Sequence, residues 1–319
     1  MDSRYWRDLK IGAQLLSKGV PIREILTVRL PFRMPDLANP PMLSVDVTDA
    51  CDLSCLYCNN PLFPHPRTMM NDDVLASLLK QLERTKINRI RIGGGEPTLH
   101  PRLIYILKEL SKRTRYLTVI TNGQWRDESV AEHLILSGAD LVEVSVDAGG
   151  EKNYEDSRPN ASYPLLMKNL ALLRFAKEKT KAKSILQIRL MLRPSTIHPK
   201  QEEIRFLGRF CDTVLSQRIM QHPESDYRKD VFVQSSLARN TIPLCSIPFK
   251  EFQVRPDGRV PMCPALGCSI YPEKQIFLGN ISKDRIDDLW NCKTMRDIRA
   301  AHRSREGDIL KTCLNCHYG

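Results

Sequence analysis

The chain has 319 residues, enough for about two domains and for a core that needs no staples. Its 42% apolar and 27% charged residues exclude wholesale disorder, and the longest stretch without Asp, Glu, Lys or Arg, 53–66, is broken by prolines, so no segment reads as membrane-spanning. Forty-eight Lys and Arg against 37 Asp and Glu give +11, a balance that favours an anionic partner, and ten cysteines exceed what an ordinary soluble enzyme needs.

Residues 1–42 hold a short helical pattern, Leu9, Ile11, Leu15 and Leu16 with Gly19 as its stop, then a connection rich in proline at Pro31, Pro35, Pro40 and Pro41. Asp2, Arg4, Arg7, Asp8 and Lys10 interrupt any export-signal order. The expected location is therefore cytoplasmic, where thiols stay reduced and clustered cysteines serve metal or redox sites. From residue 43 strands alternate with helices. A strand over 42–47 ends in a cysteine-bearing loop, and Val74, Leu75, Leu78, Leu79 and Leu82 share one face of a helix capped by Asn71 or Asp72. A strand over 89–92 opens into Gly93-Gly94-Gly95; a helix over 102–112 leads to a strand over 116–121, which ends in Asn122-Gly123.

Another helix precedes a strand over 141–146, and a long helix over 163–180 turns Leu165, Leu166, Leu170, Leu173 and Ala176 inward. A strand over 185–192, a helix near 201–210 and a strand-like stretch over 212–219 complete the series. Six strands alternating with helices predict an α/β fold: a parallel sheet with right-handed crossovers, curled into a partial (β/α)6 barrel. Chemistry in such folds sits at the C-terminal ends of the strands. Beyond about 221 the pattern changes. Residues 249–254, Pro256-Asp257-Gly258 and 259–262 read as a β-hairpin, followed by a polar helix with apolar faces over 283–301. The expected division is 1–42, an N-terminal segment; 43–220, the barrel; and 221–319, a small hairpin-plus-helix domain.

Cys51-x3-Cys55-x2-Cys58 places three thiols on one loop, with Tyr57 just before the third. Three sulfur ligands hold three irons of a cubane and leave the fourth open to an exogenous ligand; alternatively, His65 completes a Cys3His zinc site. Gly94-Gly95-Glu96-Pro97 follows the second strand. Its glycines let backbone approach a ligand, and Glu96 offers a carboxylate to an ammonium group. With Thr121-Asn122-Gly123, Val144-Ser145-Val146-Asp147 and Arg158, in this order over roughly 43–220, these motifs resemble the radical S-adenosylmethionine (radical SAM) superfamily.

The resemblance implies a 4Fe–4S cluster on Cys51, Cys55 and Cys58, whose open iron takes the amino and carboxylate groups of S-adenosylmethionine. It implies that Gly94, Gly95 and Glu96 hold the methionine amine, and that Ser145 and Arg158 contact ribose and carboxylate. It also implies reductive cleavage to a 5′-deoxyadenosyl radical that takes hydrogen from a substrate, with a reductant such as flavodoxin or ferredoxin. From the residues alone, Arg158 reads equally well as a solvated loop arginine, and Asn122 and Asp147 as turn formers.

Near the C-terminus, Cys245 lies before the hairpin, Cys263 closes it, and Cys313-x2-Cys316 follows about 50 residues on. Together with Leu278-Gly279-Asn280-Ile281, Leu289-Trp290-Asn291, Met295 and Ile298, they resemble the twitch domain, a shortened SPASM extension. This implies one auxiliary 4Fe–4S cluster on Cys245, Cys263, Cys313 and Cys316, with no open iron, serving electron transfer or structure. Two thiol pairs also suit a zinc ribbon. Cys268 is read as a replacement ligand, a hydrogen donor to a substrate radical, or a packed thiol like Cys211 and Cys292.

Only about 42 residues precede the first strand, too few for a leader-binding domain. The expected substrate is therefore small and polar, a sugar, cyclitol or nucleotide-linked compound that is oxidised or epimerised. The alternative is a ribosomal-peptide maturase served by a separate leader-binding partner. A reading from another class is a basic zinc protein that binds nucleic acid.

Overall fold

A computed structural model describes residues 13–29, 36–58, 60, 67–219, 245–264, 276–307 and 313. His65, Cys268 and Cys316, and the start of the first helical pattern at Leu9 and Ile11, lie outside these residues. The six predicted strands form as β1 (Met42–Thr48), β2 (Arg89–Gly94), β3 (Tyr116–Thr121), β4 (Leu141–Asp147), β5 (Ile185–Leu192) and β6 (Thr213–Arg218). They make a parallel sheet in the order β6-β5-β4-β3-β2-β1, extended beyond β1 by a seventh parallel strand, β7 (Glu251–Val254). Since β6 and β7 are the opposite margins of this sheet, the barrel is partial.

The two faces of the sheet differ in chemistry, because side chains alternate along a strand. Val45, Ile92, Val119, Val144 and Ile188 are fully or almost fully buried on the face that packs against the helices. The helix Asp72–Arg84 begins where expected: Asn71 Oδ1 accepts from Val74 N at 2.9 Å, and Val74, Leu75, Leu78 and Leu82 are buried. The helix Tyr163–Thr180 buries Leu166, Leu170, Leu173 and Ala176 in the same core. The opposite face carries Ser44, Asp46, Arg91, Glu143, Gln187 and Arg189, knitted by polar contacts such as Gln187 Nε2 to Glu143 Oε2 at 2.5 Å and Arg189 Nη2 to the same oxygen at 2.8 Å.

Two expectations are corrected. Residues 249–254 do not pair with 259–262 as a hairpin. Their strand, β7, runs beside β1, whereas β8 (Arg259–Pro261) pairs antiparallel with β9 (Phe277–Asn280). The turn at Pro256-Asp257-Gly258 is real, with Gly258 N donating to Arg255 O at 2.9 Å, but it hands the chain from the large sheet to the small one. The helix expected over 283–301 is two helices, Ile286–Trp290 and Lys293–Ser304. The break lets Trp290 lie edge-on to Phe252, with centroids 6.3 Å apart, and donate from Nε1 to Leu37 O at 2.9 Å. Arg299, completely buried on the second helix, caps the first through Trp290 O and reaches Pro248 O at 2.9 Å. Among the described residues no helix is long and apolar enough to cross a membrane.

Candidate active site

Because β1 to β4 are parallel, the cysteine loop, the glycine run, Asn122 and Asp147 all fall at one edge of the sheet. The cysteine loop is fastened at both ends. At its start, Met70 N donates to Val47 O at 2.8 Å, Asp49 N to Thr68 O at 2.9 Å, and Ala50 N to Thr48 Oγ1 at 3.0 Å. Further along, Leu56 N donates to Ser157 O at 3.0 Å, and Ser54 N to Pro159 O at 3.2 Å. Asn60 Nδ2 returns to Asp49 O at 2.9 Å while its backbone N–H points at Cys58 Sγ, 3.4 Å away.

The second loop is stitched to the first. Gly95 N donates to Thr48 O and Glu96 N to Ala50 O, each at 2.7 Å. This approach is why glycine is needed. A Cβ at Gly94, which has φ +110°, would lie 2.4 Å from Thr48 O, and one at Gly95 would lie 2.0 Å from Ala50 O. Both glycines thus accommodate the neighbouring backbone. Gly93 is the one open to a ligand, since a Cβ there would meet nothing within 4 Å.

Glu96 is 1% exposed and already holds four protein donors. Oε1 accepts from Thr98 N at 3.0 Å and from the Thr98 and Thr121 hydroxyls at 2.7 Å each; Oε2 accepts from Asn122 N at 2.7 Å. Burial pushes its pKa up, and these hydrogen bonds work against that rise. Its carboxylate therefore locks the loops after β2 and β3 together, whereas the sequence suggested a side chain turned to a ligand's ammonium group. Asn122 does shape a turn, with Oδ1 accepting from Gln124 N at 2.8 Å. It also grips the cysteine loop through Asp52 Oδ1 at 2.7 Å.

Arg158 is no solvated loop residue. Its side chain is 4% exposed and forms a buried ion pair with Asp147, with Nε and Nη2 at 2.9 and 2.7 Å from Oδ1. Asp147 also accepts from Tyr57 OH at 2.7 Å and from Ser157 Oγ. The guanidinium lies 5.8 and 5.4 Å from the Tyr57 and Tyr154 ring centroids. Desolvation alone would lower its pKa, but Asp147 and the surrounding phenol and thiol groups hold it well above the ordinary arginine value. Ser145 is half-buried on β4, on the same face as Glu143 and Asp147, and in register with Arg189 of β5.

Burial pushes the Cys51 and Cys55 thiols up to about 12; around Cys55 the Arg158 charge opposes that rise. The three thiols share one loop of eight residues, within which Cys58 N donates to Cys55 O at 3.0 Å. Among the described residues, however, no three His, Cys, Asp or Glu side chains converge as ligands of a single ion.

Of the C-terminal thiols, Cys245, Cys263 and Cys313 are half-buried, and Cys313 packs against the main core. Cys211 is buried, with its thiol 3.5 Å from Leu207 O, as a packed thiol would be. Cys292 is half-buried against the core.

The sequence reading placed a strand over 249–254 but missed that it completes this sheet beside β1. Glu251, Gln253 and Arg255 are all buried and contact β1: Ser44 Oγ donates to Glu251 Oε1 and Gln253 Nε2 to Asp46 Oδ2, both at 2.7 Å. Arg91 of β2 also pairs with Glu251. The signal was present as the alternation of Glu251, Gln253 and Arg255 with apolar Phe252 and Val254.

The radical SAM superfamily domain matches residues 45–191, and the SPASM iron–sulfur cluster-binding domain matches 245–317. The second match selects the iron–sulfur reading over a zinc ribbon. Among characterised relatives, the PqqA peptide cyclase of Gluconobacter oxydans is 30% identical over 122 residues, covering 36% of this chain and 34% of that protein. The match therefore spans about a third of that relative's length. Streptococcus suis SuiB bound to its precursor peptide SuiA superposes with a TM-score of 0.63 at 15% identity, over 87% of this chain and 70% of SuiB. BtrN in complex with AdoMet and 2-DOIA gives 0.54 at 17% identity, over 89% of this chain and 94% of BtrN. At these identities the two structures speak for the fold.

Proposed function

The chain belongs to the radical SAM superfamily and carries a SPASM-type iron–sulfur domain, and from that premise we propose that it is a peptide-modifying enzyme that reductively cleaves S-adenosylmethionine and oxidises, epimerises or cross-links a peptide. The observation that carries the reading is the pairing of loops at the sheet edge: three neighbouring thiols after β1, bound backbone to backbone to the glycine strip after β2. A 4Fe–4S cluster on Cys51, Cys55 and Cys58 would supply the electron for cofactor cleavage, and with it abstraction of hydrogen from the substrate.

The chain's own residues hold this edge in place. Glu96 fixes the second and third loops together, and Asn122 holds Asp52 beside Cys51. Arg158, clamped by Asp147, keeps a fixed positive charge near Cys55, where an anionic cluster or a ligand carboxylate would gain from it. Ser145, half-buried on the same face as Asp147, is assigned to the ribose side of the cofactor, and one auxiliary cluster to Cys245, Cys263, Cys313 and Cys316.

The choice of substrate shifts from the small polar compound expected from the short N-terminal segment. The peptide cyclase relative and the peptide-bound SuiB fold support a peptide. The small polar or nucleotide-linked substrate keeps the agreement with BtrN over 94% of that chain and the GTP 3′,8-cyclases among the relatives. Anaerobic reconstitution tests the chemistry. About eight irons per chain and reductant-dependent cleavage of S-adenosylmethionine are expected; zinc without iron, or no cleavage, would overturn the reading. Mass spectrometry of a peptide encoded beside this gene tests the substrate. Loss of two hydrogens, or incorporation of one solvent deuterium at an inverted carbon, is expected, while turnover of a cyclitol or sugar alone would return the small-substrate reading.

A further inference from the structure

We propose that Arg255 is a positioning residue through which the C-terminal iron–sulfur module sets the Cys51–Cys55–Cys58 loop. This rests on the reading of those three thiols as cluster ligands. The residue belongs to both parts at once. Its backbone is in the turn that leads to Cys263: Arg255 N donates to Arg259 O, and Gly258 N to Arg255 O, each at 2.9 Å. Cys263 follows two residues after the end of β8. Its side chain turns the other way, to the strand and loop that carry the first cysteines. Nη2 lies 2.9 Å from Asp49 Oδ1, and Nη1 3.7 Å from Asp46 Oδ2.

From Asp49 a run of direct contacts reaches a cysteine. Asp49 O accepts from Asn60 Nδ2 at 2.9 Å, and Asn60 N lies 3.4 Å from Cys58 Sγ. Arg255, Asp46 and Asp49 are 7%, 6% and 7% exposed, so water screens none of these charges well. Without the guanidinium, two carboxylates that repel one another would remain buried at the entry to the loop. A fork that binds two acceptors in a fixed plane gives position as well as charge, which an ammonium group on a flexible stem does not.

The test uses the full chain, reconstituted anaerobically with iron and sulfide and reduced at a fixed potential. Electron paramagnetic resonance is recorded before and after adding S-adenosylmethionine. The wild type is expected to show two cubane signals, of which one changes with the cofactor. Arg255→Gln is expected to keep the auxiliary signal. In the cofactor-responsive cluster the ratio of reduced to oxidised form should fall about tenfold, the order expected for one buried charge at about 10 Å in an effective dielectric of about 20. The cofactor concentration needed for the spectral change should rise at least fivefold. Arg255→Lys should restore the reduced fraction and leave the cofactor response weak.

Unchanged spectra and cofactor titration in Arg255→Gln at wild-type iron content would overturn the proposal, and so would an equal loss of both signals. If Arg255→Gln does not fold, Asp49→Asn is read instead. It should weaken the cofactor response while raising the reduced fraction, and no change in either would overturn the proposal. A wild type with no cofactor-responsive signal would instead overturn the cluster reading on which the proposal stands.

Discussion

The two cysteine sets are built on opposite plans. The first occupies eight residues of a single loop, which is gripped by β1 at its start, by the glycine strip beside it, and by Pro159 and Ser157 on either side of Cys55. The second is spread from Cys245 to Cys316 and has no common loop. Its segments are placed by Trp290 against Phe252 and by Arg299 bonding two carbonyl groups from separate helices. A local site of the first kind is organised by backbone hydrogen bonds, whereas a dispersed one depends on tertiary packing. Apart from the tie through Arg255, the first should resist distant changes, and the second should fail with them.

The largest effect that would break this contrast comes from the ligands themselves. Cys51→Ala and Cys313→Ala should each remove about half the iron, but only Cys51→Ala should abolish cofactor cleavage, as read by iron assay and chromatography of methionine. Loss of all iron in Cys313→Ala would show that the two sets are not separable. Next is the buried pair behind the first loop. Arg158→Gln strands Asp147 and should cost about 3–5 kcal/mol in urea unfolding, and Arg158→Gln with Asp147→Asn should recover part of it.

Asp46 comes third, because it joins β1 to the strand supplied by the C-terminal part. Burial pushes it up to about 6, from an unfolded value near 3.8. Between those values the folded chain holds a proton that the unfolded chain has released, so stability should fall as pH rises from about 4 to about 6 and level off above. Asp46→Asn should remove that dependence, a difference of about 1.3 kcal/mol between pH 5 and pH 7, measured as denaturation midpoints. Arg299→Met, which leaves Pro248 O and Trp290 O without their donor, should cost about 1–3 kcal/mol and lower auxiliary iron before it touches the first set. The smallest effect is Asn71→Ala, about 1 kcal/mol from a lost helix cap, with both iron sites intact.

The sequence carried the first plan well and the second poorly. Three cysteines within eight residues, the Gly94-Gly95-Glu96-Pro97 run and the six alternating strands are local patterns, and each stands where the periodicity put it. The reasons behind individual residues were less visible. Gly94 and Gly95 make room for Thr48 and Ala50, and Glu96 serves Thr121 and Asn122, contacts set by strand order and not by spacing. The hairpin expected at 249–262 followed from a good turn flanked by apolar residues, and no local pattern could tell that one arm would join β1. Arg158 looked solvated because its partner, Asp147, lies across a strand end, 11 residues away.

The place of β7 also sets an order of assembly. Until residues 251–254 have been synthesised, β1 has a neighbour on only one side, β2, and its other edge is open. The pairing that closes it joins residues about 200 positions apart, a contact that folding reaches late because so long a loop must first be drawn together. The nascent chain therefore carries its first three thiols on the loop after an edge strand until the strand that leads into the iron–sulfur module has paired with it.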